Sequence, residues 1–107
     1  MYEDLWKWAY AVGMAIKNKD ERLLRSLIFD IRGEETPGRF LSKLINTLSC
    51  YKTNRNINID INIHPSLITE EWHGDRFYYM KAAILVGFTN ALSKGVGEEK
   101  ERGEGNE

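Results

Sequence analysis

Reactive side chains are scarce in this chain. Its 107 residues include one cysteine, two histidines and two prolines. The single Cys50 cannot close an internal disulfide, which fits a reducing cytosol. Beside it stand only His64 and His73, and no HxxxH or CxxC spacing is present, so no metal site is expected. No apolar run approaches the roughly 20 residues that span a bilayer. The longest run, residues 82–88, fits a buried helix. Nor is there an internal repeat, and the opening residues carry no secretory pattern, since Glu3 and Asp4 precede the apolar positions and Lys7 and Lys17 follow. The expectation is a cytoplasmic protein with no membrane partner.

Catalytic constellations are missing as well. Cys50 with either histidine would make a Cys-His dyad in principle, but a small residue at the end of a helix is the plainer reading. Glu70 and Glu71 are adjacent and would project from different sides of a helix, a poor geometry for paired acid–base work. Gly95, Gly97, Gly103 and Gly105 lie in an acidic stretch to which no anion is drawn. The chain is therefore expected to be non-catalytic and to need no cofactor.

What is present is the material of a small helical domain. Hydrophobic residues make up 42% and charged residues 29%, ordinary for one folded unit. A net charge of −1 hides an uneven distribution. Residues 95–107 carry five acids against two bases, leaving the body at +2, and residues 17–55 hold nine bases against five acids. The spacing predicts a first helix from about Glu3 to Lys17, with Leu5, Trp8, Ala9, Val12 and Ile16 on one face and Trp6, Tyr10 and Met14 on a second strip. A helix apolar on two sides is central or docked against a partner. Asp20 should cap a second helix ending near Arg32 before Gly33, with Leu23, Leu24, Leu27, Ile28 and Ile31 inward. Arg22, Arg25 and Arg32 fall on its other side, with Phe29 among them. Thr36 and Pro37 announce a third helix that fades around Tyr51, packed through Phe40, Leu41, Leu44, Ile45 and Leu48.

The period then changes. Ile57, Ile59, Ile61 and Ile63 alternate with polar residues, a strand signal. The segment could pair with residues 50–53 as a hairpin, add to the edge of another chain, or lie extended with its isoleucines over the core. His64-Pro65 ends it, and a short helical turn is expected around residues 66–72. Asp75 should cap a last helix, apolar nearly all round, from about Arg76 to Ser93, stopping at Lys94-Gly95. Gly87 inside it suggests close approach of another backbone. The whole reads as mainly α: a bundle of four to five helices over residues 1–94, one short extended or β segment near residues 56–63, and an acidic tail, residues 95–107, expected to be disordered.

Two surfaces remain as candidate binding sites. Arg22, Arg25, Arg32, Arg39, Lys43, Lys52 and Arg55 could converge on one face and hold phosphates without reading sequence, with Tyr51 among them to stack on a base. The plainer alternative is a solvated face with ion pairs to Asp20, Glu21 and Asp30. Trp6, Trp8, Tyr10, Trp72, Phe77, Tyr78 and Tyr79 are many aromatics for so short a chain. They either fill the space between the outer helices or form a protein interface, for which Trp6, Tyr10, Trp72, Tyr78 and Tyr79 are the candidates.

Three stretches carry a resemblance to a known family. These are Leu5-Trp6-Lys7-Trp8-Ala9-Tyr10-Ala11-Val12 before the charged break at residues 18–21, the helix start Glu35-Thr36-Pro37-Gly38-Arg39-Phe40-Leu41, and Ala82-Ala83-Ile84-Leu85-Val86-Gly87-Phe88 within residues 79–92. Together they resemble the small subunit of CRISPR interference (Cascade) complexes, particularly of archaeal type I-A-like systems. The resemblance implies a helical bundle stacked in several copies along a ribonucleoprotein complex, beside other effector subunits, with no catalysis. Its basic surface would contact the RNA–DNA guide–target duplex or hold the displaced single-stranded DNA. The seven bases follow from charge placement and not from a family motif. The alternative is a helical protein–protein adaptor without nucleic-acid contact.

Overall fold

The computed structural model of the chain describes residues 2–61 and 74–105. Those residues form four helices, α1 (Tyr2–Lys19), α2 (Glu21–Arg32), α3 (Pro37–Asn54) and α4 (Asp75–Gly105), and no strand. The chain is a mainly α bundle, as its periodicity predicts. The turn expected around residues 66–72 lies outside the described residues.

Each helix start has a local cause. Glu3 and Asp4 sit in the first turn of α1 and Lys17 and Lys19 in its last, each sign matched to the end of the helix dipole it faces. The Asp20 carboxylate accepts the Arg22 N–H at 2.9 Å and caps α2. Thr36 does the same for α3, accepting the Arg39 N–H at 3.4 Å, with Pro37 in the first turn where its missing N–H costs nothing. At α4 the expected cap differs. Asp75 is the first helical residue, and the Gly74 carbonyl accepts the Phe77 N–H at 3.3 Å. Gly74 takes the left-handed conformation (φ 55°) that suits glycine. At its other end α4 runs to Gly105, past the stop expected at Lys94-Gly95. Residues 98–102 are glutamate, lysine and arginine, straight-chain residues that lose little rotamer freedom in a helix. They extend a helix already nucleated by packing upstream, where each added residue costs far less than a first turn.

Burial follows the stripes predicted for α1 to α3, and α4, expected to be apolar nearly all round, buries one side. Leu5, Ala9, Val12 and Ile16 of α1, Leu24, Leu27 and Ile31 of α2, Phe40, Leu44 and Leu48 of α3, and Phe77, Met80, Ile84, Phe88 and Ala91 of α4 share one core. The closest pairing is between α1 and α4. Gly87 lies against Trp6 and Ala9, Gly13 lies against Phe88 and Ala91, and the Lys17 ammonium donates to the Leu92 carbonyl at 2.6 Å. Contacts advance together along both helices, so α1 and α4 run in the same direction. The start of α4 is tied to the α2–α3 junction. There Lys81 donates to the Glu34 carbonyl at 2.6 Å, and its ammonium sits 5.9 Å and 5.8 Å from the Phe40 and Phe77 ring centroids.

A parallel α1–α4 pair needs a return connection, and residues 55–61 begin it. Asn56 turns the chain out of α3 in the left-handed conformation (φ 55°), which asparagine tolerates. Residues 57–61 then run on without joining a strand, the Ile57 N–H donating back to the Tyr51 carbonyl at 3.3 Å, with Ile57 and Ile59 buried and Asn58 and Asp60 outward. The half-buried Trp8 indole donates to the Asp60 carbonyl at 2.7 Å and fixes the segment to α1. A hairpin with residues 50–53 does not form, because those residues are the last turns of α3. Strict alternation here marks a lid with one buried side.

A Cβ at position 87 would stand 2.6 Å from the Trp6 carbonyl oxygen and 3.0 Å from the Tyr10 nitrogen, both backbone atoms that cannot swing away. Gly87→Ala therefore loses about 2 kcal/mol through overpacking, although alanine is the better helix former by about 1 kcal/mol. Gly38→Ala, with nothing within 4 Å, leaves stability equal or slightly higher. Urea unfolding of the two variants measures the contrast, and equal midpoints would refute the close crossing.

Candidate nucleic-acid interface

The seven candidate bases divide into three groups. On α2, Arg22, Arg25 and Arg32 are all exposed, and with Phe29 they recur at spacings of three, four and three residues. That spacing puts all four on one stripe, opposite the buried Leu24, Leu27 and Ile31. Arg25 is held by Glu21 at 3.0 Å and Arg22 by Asp20 at 3.5 Å, so two of the expected ion pairs are present. Both pairs are solvent-exposed, where such contacts are worth little and are easily exchanged. Arg32 makes no ion pair among the described residues. Its guanidinium lies over the Phe29 ring, 4.8 Å from the centroid.

Arg39 and Lys43 form the second group, on α3. With Glu34, Gly38, Ser42, Asn46 and Thr47 they line an open groove of about 610 Å³. Lys43 reaches the Glu34 carboxylate at only 4.0 Å, and Arg39 has no ion pair among the described residues. Lys52 is nine residues beyond Lys43, about half a turn round the helix, and Arg55 is the C-terminal cap of α3. Both complement the negative end of the α3 dipole, which is reason enough for their placement.

These groups do not meet on one face. The Tyr51 hydroxyl donates to the Leu23 carbonyl at 3.0 Å, which places α3 on the Leu23 flank of α2. Arg32 stands nine residues from Leu23 and so about half a turn away from it. Arg32 thus looks away from the α3 flank of α2.

Tyr51 itself is a correction. Expected among the bases as a stacking ring, it is instead buried, 9% exposed, with its hydroxyl satisfied inside the bundle. Burial, then the nearby Asp30 carboxylate, pushes its phenol above its ordinary value of 10.0. The ring that does stand among arginines is Phe29, 66% exposed. Its signal was in the sequence all along, as the one aromatic on the stripe opposite the α2 core.

Among the interface aromatics, Trp6 and Tyr10 are half-buried and stacked, with centroids 5.7 Å apart. Beside them Asn90, Ser93 and Lys94 complete a cleft of about 470 Å³. Tyr78 and Tyr79 are exposed on α4, and Trp72 lies outside the described residues. Cys50 is exposed, with the Asn54 amide 3.2 Å from its sulfur, and both histidines lie outside the described residues. Among the described residues no three His, Cys, Asp or Glu side chains gather to hold a metal, and no helix is long and apolar enough to cross a membrane.

Compared with family models, with curated proteins and with solved structures, the chain matches none.

Tyr51→Phe removes one buried hydrogen bond and is expected to cost about 1 kcal/mol at neutral pH. Because the folded phenol titrates above the unfolded one, wild type keeps this contribution below the unfolded value, near pH 10, and loses it as pH rises through the folded value. Denaturant titrations of both proteins should show their difference narrowing above about pH 10. A difference constant across that range would exclude the buried phenol.

Proposed function

We propose that the chain is a cytoplasmic, non-catalytic subunit that holds nucleic acid without reading its sequence, as the resemblance to CRISPR small subunits implies. The exposed stripe Arg22–Arg25–Phe29–Arg32 on α2 carries this reading. Three guanidiniums, each able to present a planar fork of donors to phosphate, stand on one side of a rigid helix. The two that are ion-paired have solvent-screened partners that a phosphate oxygen replaces at small cost. Arg39 and Lys43 in the α3 groove offer a second patch, and Lys52 and Arg55 a third. A strand following these patches would have to wrap the α2–α3 hairpin, in keeping with a subunit that lies along a nucleic acid in several copies beside other effector subunits.

A second reading has its own observation. Tyr78 and Val86 on α4 are 59% and 47% exposed, and residues 77–93 include only one charge, Lys81. Such a face suits a protein neighbour. It is compatible with the first reading as the surface for other subunits. Alone, it would make the chain a helical adaptor.

Filter binding of single-stranded DNA separates the two. The expected result is binding that weakens steeply with salt. Arg22→Ala with Arg25→Ala lowers the slope of log K against log salt by about 1.4, at about 0.7 per phosphate contact on a single strand. An unchanged slope removes α2 from the contact. Absence of binding at low salt, by the chain and by its assembled complex, leaves the adaptor.

A further inference from the structure

We propose that Phe29 is a base-stacking platform, so that the α2 face takes single-stranded nucleic acid in preference to duplex. The inference rests on the nucleic-acid reading and deepens it.

Phe29 is the most exposed large hydrophobic residue described in the chain, at 66%. A single exposed apolar side chain is ordinary, and the surroundings of this one are what give it meaning. Arg25 stands one turn before it and Arg32 one turn after it on the same stripe, with Arg22 beyond Arg25. The Arg32 guanidinium lies over the ring, 4.8 Å from the centroid, while most of the Phe29 side chain stays exposed. Arg32 has no carboxylate partner among the described residues, so it keeps donors for a phosphate while covering the ring. Asp30 lies off the stripe, on the α3 side, where its charge acts on Tyr51.

A flat apolar ring between cations matches one nucleotide unit of an unpaired strand, whose base offers a π-face and whose neighbouring phosphates offer charge. A duplex presents the phosphates but keeps its base faces stacked inside. Hence the arginines alone would hold both forms, and Phe29 would add affinity only for the unpaired one. An acidic protein partner would also satisfy the arginines, and the test separates that case.

The experiment compares the full chain with Phe29→Ala and Phe29→Tyr on three probes of equal length. The probes are an oligodeoxythymidine strand, a strand of abasic sites and a DNA duplex. Because Phe29 is exposed, the variants are expected to melt with wild type. Stacking predicts that Phe29→Ala weakens binding to oligodeoxythymidine about tenfold, within the range for base–aromatic stacking. Phe29→Tyr keeps wild-type affinity, and on the abasic strand and the duplex all three proteins bind alike. An equal loss on the abasic strand would overturn the proposal, since Phe29 would then act only by placing Arg32. Unchanged affinity of Phe29→Ala for every probe overturns it too, leaving phosphate binding intact and Phe29 free for a protein partner. No binding of any probe by wild type, alone and in its assembled complex, would remove both this proposal and the nucleic-acid reading.

Discussion

The close crossing of α1 and α4 is the constraint on which the rest of the bundle depends. Glycine at 87 and at 13, with alanine at 9 and 91, lets two helix backbones touch where any larger residue would separate them. Helices usually pack 8–10 Å apart, the distance set by the side chains between them. With small residues at the crossing, the larger side chains flank it. Phe88 reaches the Trp8 ring at 6.4 Å, while Phe77 meets Phe40 edge-on at 5.9 Å and ties α4 to α3. Because α1 and α4 run the same way, the chain must cross back between α3 and α4. Residues 56–61 begin that crossing, and the buried Ile57 and Ile59 make it part of the core.

This arrangement also decides which surfaces are available. With α1 and α4 packed tightly on each other, the α2–α3 hairpin covers the remaining core and shows its other sides to solvent. The stripe opposite Leu24, Leu27 and Ile31 is the one that holds Arg22, Arg25, Phe29 and Arg32. The same packing buries Tyr51 against Leu23 and leaves Arg32 turned away from the α3 flank of α2. A surface that looks continuous in a count of charges is divided, with Lys43 and Lys52 about half a turn apart on α3.

Local physics was legible in the sequence, and tertiary geometry was less so. Asp20 and Thr36 were readable as caps because capping depends on two or three neighbouring residues, and both caps formed. The stripes of α1 to α3 are readable because periodicity decides which face is apolar, whereas α4, apolar nearly all round, shows no such stripe. Gly87 suggests a close neighbour or mere drift, and the structure shows the close neighbour, with Trp6 and Tyr10 backbone atoms against it. Tyr51 was misplaced because its burial depends on where α2 lies beside α3, which no periodicity within α3 states. The alternation is matched by burial at Ile57 and Ile59, with Ile63 outside the described residues, but pairing is not a local property, and the Trp8 indole supplies the anchor that a neighbouring strand would otherwise give. Lys94-Gly95 reads as a stop, yet α4 continues to Gly105, because the residues after it favour helix and the turns before it are already formed.

The central claim is that nucleic acid lies on the arginine face of α2. Backbone amide chemical shifts of the isotope-labelled chain, followed while single-stranded DNA is added at low salt, test it most directly. The account predicts that the largest changes cluster at Arg22, Arg25, Phe29 and Arg32, with smaller ones at Arg39 and Lys43. Changes confined to the outer face of α4, around Tyr78 and Val86, would contradict it.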